Sequence, residues 1–152
     1  MDFFAYELFR DESKKLMNNS QVNMDFLYKI RYAETDQMGV VHHANYALYL
    51  EQARIDWLEK KGLDYSKLEK DGIMLPVLKM GLEFKKPLYF GDTVRVNIKC
   101  VEEPKVRIKF SYILYNSNEE LIAHAFVDLA FMSSETRRPI RCPDYVLKIL
   151  MS

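Results

Sequence analysis

The chain has 152 residues, of which 49% are hydrophobic and 29% are charged, so it is long enough for one packed core and too short for two. Its 22 lysines and arginines balance 22 aspartates and glutamates, so the formal net charge is zero. The overall charge of the chain therefore does not attract nucleic acids or anionic membranes. No apolar run approaches the length of a membrane span, and the acidic first dozen residues do not resemble a secretory signal, so we expect a cytoplasmic protein.

The start of the chain differs in pattern from the rest. Residues 1–23 combine an amphipathic stretch with a polar segment, which predicts an arm that precedes a domain at residues 24–152. The apolar residues of this stretch are Phe3, Phe4, Leu8 and Phe9. The arm is too short to supply a helix-turn-helix, so it does not indicate a DNA-binding function.

The first part of the domain predicts a strand, a loop and a long helix. Residues from Phe26 onward alternate as in a β-strand, and residues 33–43 lack any helical or strand period, so they form a loop that contains Gly39. Residues Ala44–Lys61 have a helix-forming composition, and Gly62 ends the helix. Two faces of this helix are apolar and only a narrow strip is polar, which predicts burial on most sides.

The second part of the domain predicts strands in succession. A short helix at Asp64–Lys70 comes first, with Asp64 as its N-cap. Four strand-like runs and a small terminal helix follow, namely Ile73–Phe84, Thr93–Glu102, Lys105–Tyr115, Leu121–Met132 and Tyr145–Met151. The connections after the first two runs are short enough for antiparallel neighbours.

These elements predict an α+β fold in which an antiparallel five-stranded sheet wraps around one long central helix. A single small sheet covers nearly every side of a helix only if it curls around that helix. The second apolar helix face and the odd number of strands also predict a partner copy that pairs with a sheet edge.

Two segments of the chain resemble a known family. Residues 32–46, with the sequence YAETDQMGVVHHANY, and the later Glu51-Gln52-Ala53-Arg54 are similar to the opening motif of the hotdog-fold acyl-CoA thioesterases, in the 4-hydroxybenzoyl-CoA thioesterase and YbgC-like group. Residues 84–92, FKKPLYFGD, resemble the turn between strands of that family. The resemblance covers roughly residues 26–145. It implies a hotdog fold with active sites at the interface of a homodimer, and a homotetramer as the larger alternative.

The chemistry of thioester hydrolysis gives roles to residues of the first motif. The thioester oxygen gains negative charge during attack, and a backbone N–H at a helix N-terminus is a positioned donor for it. We assign this role to the amide of His43, whose side chain is a further candidate at the pocket mouth. Asp36 matches the catalytic aspartate of the family, and the sequence leaves open whether it attacks the carbonyl or activates water.

Further candidates surround this pair of residues. Glu51 lies where sister families place a helical acid, and on the helix it is predicted to share the stripe that faces the sheet, where an acid needs a partner such as Arg54. The candidates for substrate contact are Gly39, Val41, Asn45 and Tyr46. The candidates for the phosphates of coenzyme A are Lys85, Lys86, Arg107, Arg137 and Arg138.

Neither a metal nor a cofactor is expected. His42 and His43 are adjacent and have no third ligand at a telling spacing, and His124 lies in an apolar strand. Cys100 and Cys142 fit neither a disulfide framework nor a metal site, so we expect reduced, buried thiols. Coenzyme A enters only as part of the substrate.

The sequence leaves three functions open. The first is hydrolysis of an acyl-CoA or an acyl-carrier-protein thioester. The second is a hotdog hydratase or dehydratase, although such enzymes typically place Asp and His closer together than Asp36 and His42. The third is an acyl-CoA binding or sensor module without catalysis.

Overall fold

A computed structural model describes residues 23–152, and the predicted amphipathic stretch of the arm lies outside the described residues. The strands are β1 (Met24–Lys29), β2 (Ile73–Met74), β3 (Val77–Phe84), β4 (Thr93–Cys100), β5 (Arg107–Tyr115), β6 (Leu121–Ala130) and β7 (Met132–Ser133). The helices are α1 (Ala44–Lys60), α2 (Tyr65–Lys70) and α3 (Asp144–Met151). A short 3₁₀ turn, Tyr32–Glu34, follows β1 and was not predicted.

The sheet confirms the predicted fold class. Five antiparallel strands have the order β1-β4-β5-β6-β3, and β2 pairs with β7 in a separate two-stranded ribbon. Side chains alternate across the sheet as the strand period requires. On β5, for example, Ile108, Phe110, Tyr112 and Leu114 are buried towards the helix side.

The long helix α1 packs on the inner face of this sheet. The Trp57 ring meets the Phe110 ring edge to face at 5.2 Å. The buried residues of α1 are Tyr46, Tyr49, Leu50, Ala53, Arg54, Trp57 and Leu58. The opposite side of the helix, with Leu48 and Glu51, is exposed, so burial on most sides is wrong for the single chain.

The exposure of Glu51 also corrects its predicted place on the stripe that faces the sheet. Both helix faces are apolar, and periodicity alone does not tell which one the sheet covers. The sheet takes the face with Tyr46, Leu50 and Trp57, whose larger side chains bury more apolar area.

Proline explains the main error in the predicted strands. The run Ile73–Phe84 is interrupted at Pro76, which has no N–H for a strand ladder, and it becomes β2 and β3. The remaining differences are at strand ends, since β4 ends at Cys100, β5 begins at Arg107 and β6 ends at Ala130. The predicted cap of the short helix is confirmed, because the Asp64 carboxylate accepts a hydrogen bond from the Ser66 N–H at 2.8 Å.

The connections gather at two ends of the sheet. The loop after β1, the start of α1 and the turn between β3 and β4 lie at one end, called here the loop end, where the Ile30 N–H donates to the Asp92 carbonyl at 2.8 Å. Helices α2 and α3 and the turn between β4 and β5 lie at the opposite end, where the Tyr145 hydroxyl donates to Asp71 at 2.5 Å. This division separates the predicted site residues into two groups.

Two further findings concern the part of the chain that the structure describes. Cys100 and Cys142 are free and buried, as predicted, and burial raises the pKa of the Cys100 thiol to about 11. Within residues 23–152, no helix is both long and apolar enough to cross a membrane.

Candidate active site

Asp36 lies in a tight loop that its own atoms close. The Asp36 N–H donates to the Val40 carbonyl at 2.9 Å, and the Met38 N–H donates to the Asp36 carboxylate oxygen Oδ1 at 2.8 Å. Gly39 has a φ of 78°, which an L side chain rarely adopts, so the turn needs glycine there. Among residues 23–152, no hydrogen bond reaches the other carboxylate oxygen, Oδ2, which is therefore available for chemistry.

The far side of the loop is fixed to the turn between β3 and β4. The Val41 N–H donates to the carbonyl of the fully buried Leu88 at 2.8 Å, and Val40 forms an isolated bridge with Tyr89. In turn the Tyr89 N–H donates to the Asp92 carboxylate at 2.9 Å. The loop with Asp36 and the turn of the second motif therefore form one unit.

A buried carboxylate that sequence reasoning missed holds this unit to α1. Glu34 is only 8% exposed, and its carboxylate accepts hydrogen bonds from the Arg31 N–H at 2.8 Å, the Tyr49 hydroxyl at 2.9 Å and the Arg31 Nε at 3.0 Å. Burial by itself raises the pKa of Glu34, but these donors together hold it below its usual value. Glu34 is therefore a buried, charged anchor between the loop and the second turn of the helix.

The backbone of Glu34 also contacts the helix start. Its carbonyl accepts the His42 N–H at 2.9 Å and the Asn45 side-chain amide at 2.7 Å. Asn45, a predicted substrate contact, is thus turned towards the loop. The only sequence signal for Glu34 was an acid two residues before Asp36, which does not indicate burial.

The N-terminus of α1 presents a free donor. The Ala44 N–H donates to His42 Nδ1 at 3.1 Å, and the Asn45 N–H donates to the His42 carbonyl at 2.9 Å. Within the described chain, the His43 N–H donates no hydrogen bond. It lies at the positive end of the helix dipole, which makes it a suitable donor to a developing negative charge. The His42 and His43 rings stack at 4.1 Å between centroids.

A cleft of about 280 Å³ opens beside this helix start. It is lined by Val40, Val41, His43, Tyr46, Phe84, Lys85, Lys86 and Pro87. The Tyr46 and Phe84 rings meet edge to face at 4.9 Å, and Tyr46 is only 3% exposed. The cleft therefore combines an apolar floor with two cations, and it contains the predicted residues Val41, His43, Tyr46, Lys85 and Lys86.

The two lysines of the cleft already have acidic neighbours. Lys85 forms an ion pair with Glu83 on β3, and Lys86 forms one with Glu120 before β6. All four side chains are at least partly exposed to solvent. Exposed ion pairs contribute at most about 1 kcal/mol, so a phosphate competes readily for these ammonium groups.

The other predicted phosphate contacts lie elsewhere in the single chain. Arg107 begins β5 at the far end of the sheet, and β5 has nine residues, which extend about 30 Å. Arg137 and Arg138 follow the ribbon strand β7 at that same end. The structure therefore brings Lys85 and Lys86 to the cleft and does not bring the three arginines there.

Glu51 and the histidines complete the predicted set. Glu51 lies eight residues beyond His43, about 12 Å along the helix, and it is exposed outside the cleft. No group of three side chains among residues 23–152 has the arrangement of a metal site. The expectation that no cofactor is needed stays a prediction.

Proteins of known sequence and structure resemble the chain over most of its length. The model of a family described as the thioesterase-like superfamily matches residues 30–150. A Bacillus subtilis protein, provisionally named the acyl-CoA thioesterase YneP, is 35% identical over 113 residues, or 74% of this chain and 82% of that protein. A 1,4-dihydroxy-2-naphthoyl-CoA hydrolase of Thermosynechococcus vestitus is 30% identical over 121 residues, or 79% of this chain and 83% of the relative. The solved structure of a DHNA-CoA thioesterase from Staphylococcus aureus has a TM-score of 0.76 at 34% identity, covering 78% of this chain and 80% of that one.

Proposed function

Because the chain belongs to the thioesterase-like superfamily, we propose that it hydrolyses acyl thioesters of coenzyme A to a free carboxylic acid and coenzyme A. The names of its relatives support the reaction. The observation that carries the site is the free N–H of His43, a residue that lines an apolar cleft beside the Asp36 loop. The closer YbgC-like branch of the family stays a prediction.

The His43 amide polarises the thioester carbonyl in this mechanism. As the carbonyl carbon is attacked, its oxygen becomes negative, and a fixed N–H at a helix N-terminus stabilises that charge without reorganising. The carbon–sulfur bond then breaks, and coenzyme A leaves as the thiolate. Val41 and Tyr46 surround the acyl group with apolar surface, and Gly39 keeps the loop backbone close to the cleft.

Asp36 supplies the carboxylate, by one of two routes that both use its free oxygen. As a nucleophile, Asp36 forms a mixed anhydride that water then hydrolyses. As a general base, it takes a proton from the water that attacks the carbonyl. In a single turnover in ¹⁸O-labelled water, product acid without ¹⁸O identifies the nucleophile, because one of its oxygens then comes from the thioester and the other from Asp36, which retains the label.

A homodimer is the second part of the proposal. Strand β3 lies at the edge of the sheet, and four of its apolar residues are between 42% and 50% exposed, namely Val77, Leu78, Met80 and Phe84. An exposed apolar edge strand favours pairing with a second copy of itself. A tetramer, an acyl-carrier-protein substrate and a cytoplasmic location stay predictions.

The release of free thiol from a panel of acyl-CoAs tests the assignment of Asp36. We expect Asp36→Asn to lower kcat by about 10² to 10⁴, because the amide neither attacks nor accepts a proton. The matched control Glu51→Gln changes an exposed acid outside the cleft, and we expect it to retain most of the activity.

Three other outcomes would contradict the proposal. Full activity in Asp36→Asn removes Asp36 from the mechanism. Binding of acyl-CoA without thiol release by the unmodified protein favours the sensor. Addition of water to an enoyl-CoA with the thioester left intact favours the hydratase, which the thioester-hydrolase names of the relatives do not support.

A further inference from the structure

A histidine outside the proposed active site lies opposite an acid that holds one of the cleft lysines. His124 on β6 pairs in register with Glu83 on β3, and paired residues of an antiparallel sheet have their Cβ atoms about 5 Å apart on the same face. Glu83 in turn forms an ion pair with Lys85, which lines the cleft. His124, Glu83 and Lys85 therefore form one cluster beside the cleft.

The Glu83 carboxylate has room for a second partner. Its oxygen Oε1 accepts a hydrogen bond from the Lys85 ammonium, whereas among residues 23–152 no hydrogen bond reaches the oxygen Oε2. The Glu83 side chain is 26% exposed, so water hydrates its charge only in part. A carboxylate accepts several hydrogen bonds, and those from charged donors are the strongest. Glu83 is therefore suited to accept from either of two cations.

His124 is the second possible cation. Its ring is partly buried, and within the described chain its nitrogens form neither a hydrogen bond nor an ion pair. Burial lowers the pKa of His124 below its ordinary value, Glu83 acts in the opposite direction, and Lys85 adds to the lowering. The imidazole is therefore mainly neutral at pH 7 while Lys85 lies beside Glu83.

The other groups around His124 do not take part in this balance. Among residues 23–152, the charges that act on His124 are those of Glu83 and Lys85. Its register partner on β5, Ile113, is apolar. Other cations of the sheet and its turns are engaged elsewhere, namely Lys79 over the Phe126 ring, Arg95 over the Tyr115 ring and Lys86 with Glu120.

A phosphate that binds Lys85 takes the ammonium away from Glu83. The ion pair between these two residues is partly exposed and weak, so a phosphate of coenzyme A competes for the lysine. Glu83 then keeps its negative charge without a cation, which makes protonation of His124 more favourable. The phosphate on Lys85 and the proton on His124 therefore favour each other.

We propose that His124 is a positioning residue for coenzyme A, because its protonated ring pairs with Glu83 and releases Lys85 to a phosphate of the substrate. Binding of coenzyme A and uptake of a proton by His124 are then coupled, and each strengthens the other by the same factor. Since Lys85 is assigned to coenzyme A under the proposed thioesterase function, this role of His124 rests on that function.

The two states of His124 determine the direction of the pH dependence. In the free protein, Lys85 contributes to the low pKa of His124; in the complex, Lys85 is engaged by phosphate, so the pKa of His124 is higher there. The gain in affinity for coenzyme A is complete below the lower of these two pKa values. It is lost as the pH rises through the higher one.

Isothermal titration calorimetry of the full chain with coenzyme A between pH 5 and pH 8 tests this proposal. We expect the unmodified protein to bind about three to five times more tightly than His124→Gln at pH 5, and equally tightly at pH 8, since glutamine takes up no proton. The two proteins are compared at each pH, because the phosphates of the ligand also change charge in this range.

A second variant tests the competing acid directly. Glu83→Gln should bind coenzyme A about three to five times more tightly than the unmodified protein at pH 8, because Lys85 is then released without a proton. In that background, His124→Gln should have no further effect at any pH. Asp128→Asn, which removes an acid from β6 four residues beyond His124, is the matched control and should follow the unmodified protein.

The remaining outcomes overturn the proposal. If His124→Gln differs from the unmodified protein by the same factor at pH 5 and pH 8, or does not differ at all, no proton on His124 is involved. If Glu83→Gln binds coenzyme A no more tightly, Glu83 does not compete for Lys85. An unmodified protein that neither binds coenzyme A nor releases thiol from acyl-CoA contradicts the proposed function itself, and the role of His124 with it. Thermal unfolding checks that each variant folds, and His124→Asn gives the same test if His124→Gln does not.

Discussion

Glu34 shows how one buried charge connects the loop of Asp36 to the helix of His43. Its carboxylate accepts three hydrogen bonds, from two donors of Arg31 and from the Tyr49 hydroxyl. These donors hold the pKa of Glu34 below its usual value. An acid whose pKa is lower in the folded than in the unfolded protein stabilises the fold at a pH above its unfolded pKa, which is about 4.3 for glutamate. This stabilisation is lost as the pH falls through the lower, folded pKa.

Glu34→Gln should therefore lower the free energy of unfolding by about 1 to 3 kcal/mol at pH 7. The difference from the unmodified protein should begin to shrink below about pH 4.3, where the unfolded glutamate becomes neutral, and should shrink further as the pH falls through the lower folded pKa of Glu34. Urea unfolding between pH 3 and pH 8 measures it. Glu59→Gln, which changes an exposed acid on α1, serves as the control. A difference that stays constant with pH would contradict the role of the charge.

The residues of the site differ in how far the sequence predicted them. Asp36 and His43 are predicted because thioester chemistry needs an acid and a helix N-terminus, and the family motif that the sequence resembles contains both; their roles stay predictions. Glu34 was missed because its partner Tyr49 is fifteen residues away, and burial of a carboxylate depends on that tertiary contact. Arg107 was predicted as a phosphate contact because its charge can be read from the sequence. The end of the sheet on which Arg107 lies cannot be read from the sequence.

At the scale of elements, the two edges of the sheet differ. Strand β3 carries Leu78 and three other exposed apolar residues, whereas β1, at the opposite edge, has Leu27 as its one large apolar residue above one third exposed. A chain that hides one edge in a dimer would show this asymmetry. The edge of β3 is therefore the expected interface.

Leu78→Asp should convert the proposed dimer to monomers, because a charge within the new strand pair is desolvated without a partner. Leu27→Asp is the matched control, with the same substitution on the other edge, and should leave the dimer intact. Sedimentation velocity measures the state of each variant. A Leu78→Asp protein that stays dimeric would place the interface elsewhere.

Element types were easier to predict than element contacts. The strand alternation and the helix composition indicated the five strands of the sheet and the long helix, and only Pro76 and the strand ends required correction. The covered face of α1 did not follow from the sequence, because its two stripes are similarly apolar and the choice between them depends on which side chains fill the sheet. Glu51 was misplaced for that reason.

At the scale of the whole molecule, zero net charge means that no general field attracts an anionic substrate. The phosphates of coenzyme A must be recognised locally, and the structure places Lys85 and Lys86 at the cleft. Their present partners, Glu83 and Glu120, are held in weak exposed pairs. The contribution of these lysines should therefore appear in substrate binding and depend on salt.

The double variant Lys85→Ala and Lys86→Ala should raise the KM for an acyl-CoA by about tenfold and leave kcat nearly unchanged, because two exposed phosphate contacts are lost and the reacting groups are not. The KM for the corresponding acyl-pantetheine, which lacks the phosphates, should change little. Raising the salt concentration should weaken acyl-CoA binding in the unmodified protein and have less effect in the variant. Arg107→Ala, which removes a cation at the far end of the sheet, should behave as the unmodified protein does. An equal loss with acyl-CoA and acyl-pantetheine would show that the lysines shape the cleft, since only the phosphate contacts distinguish the two substrates.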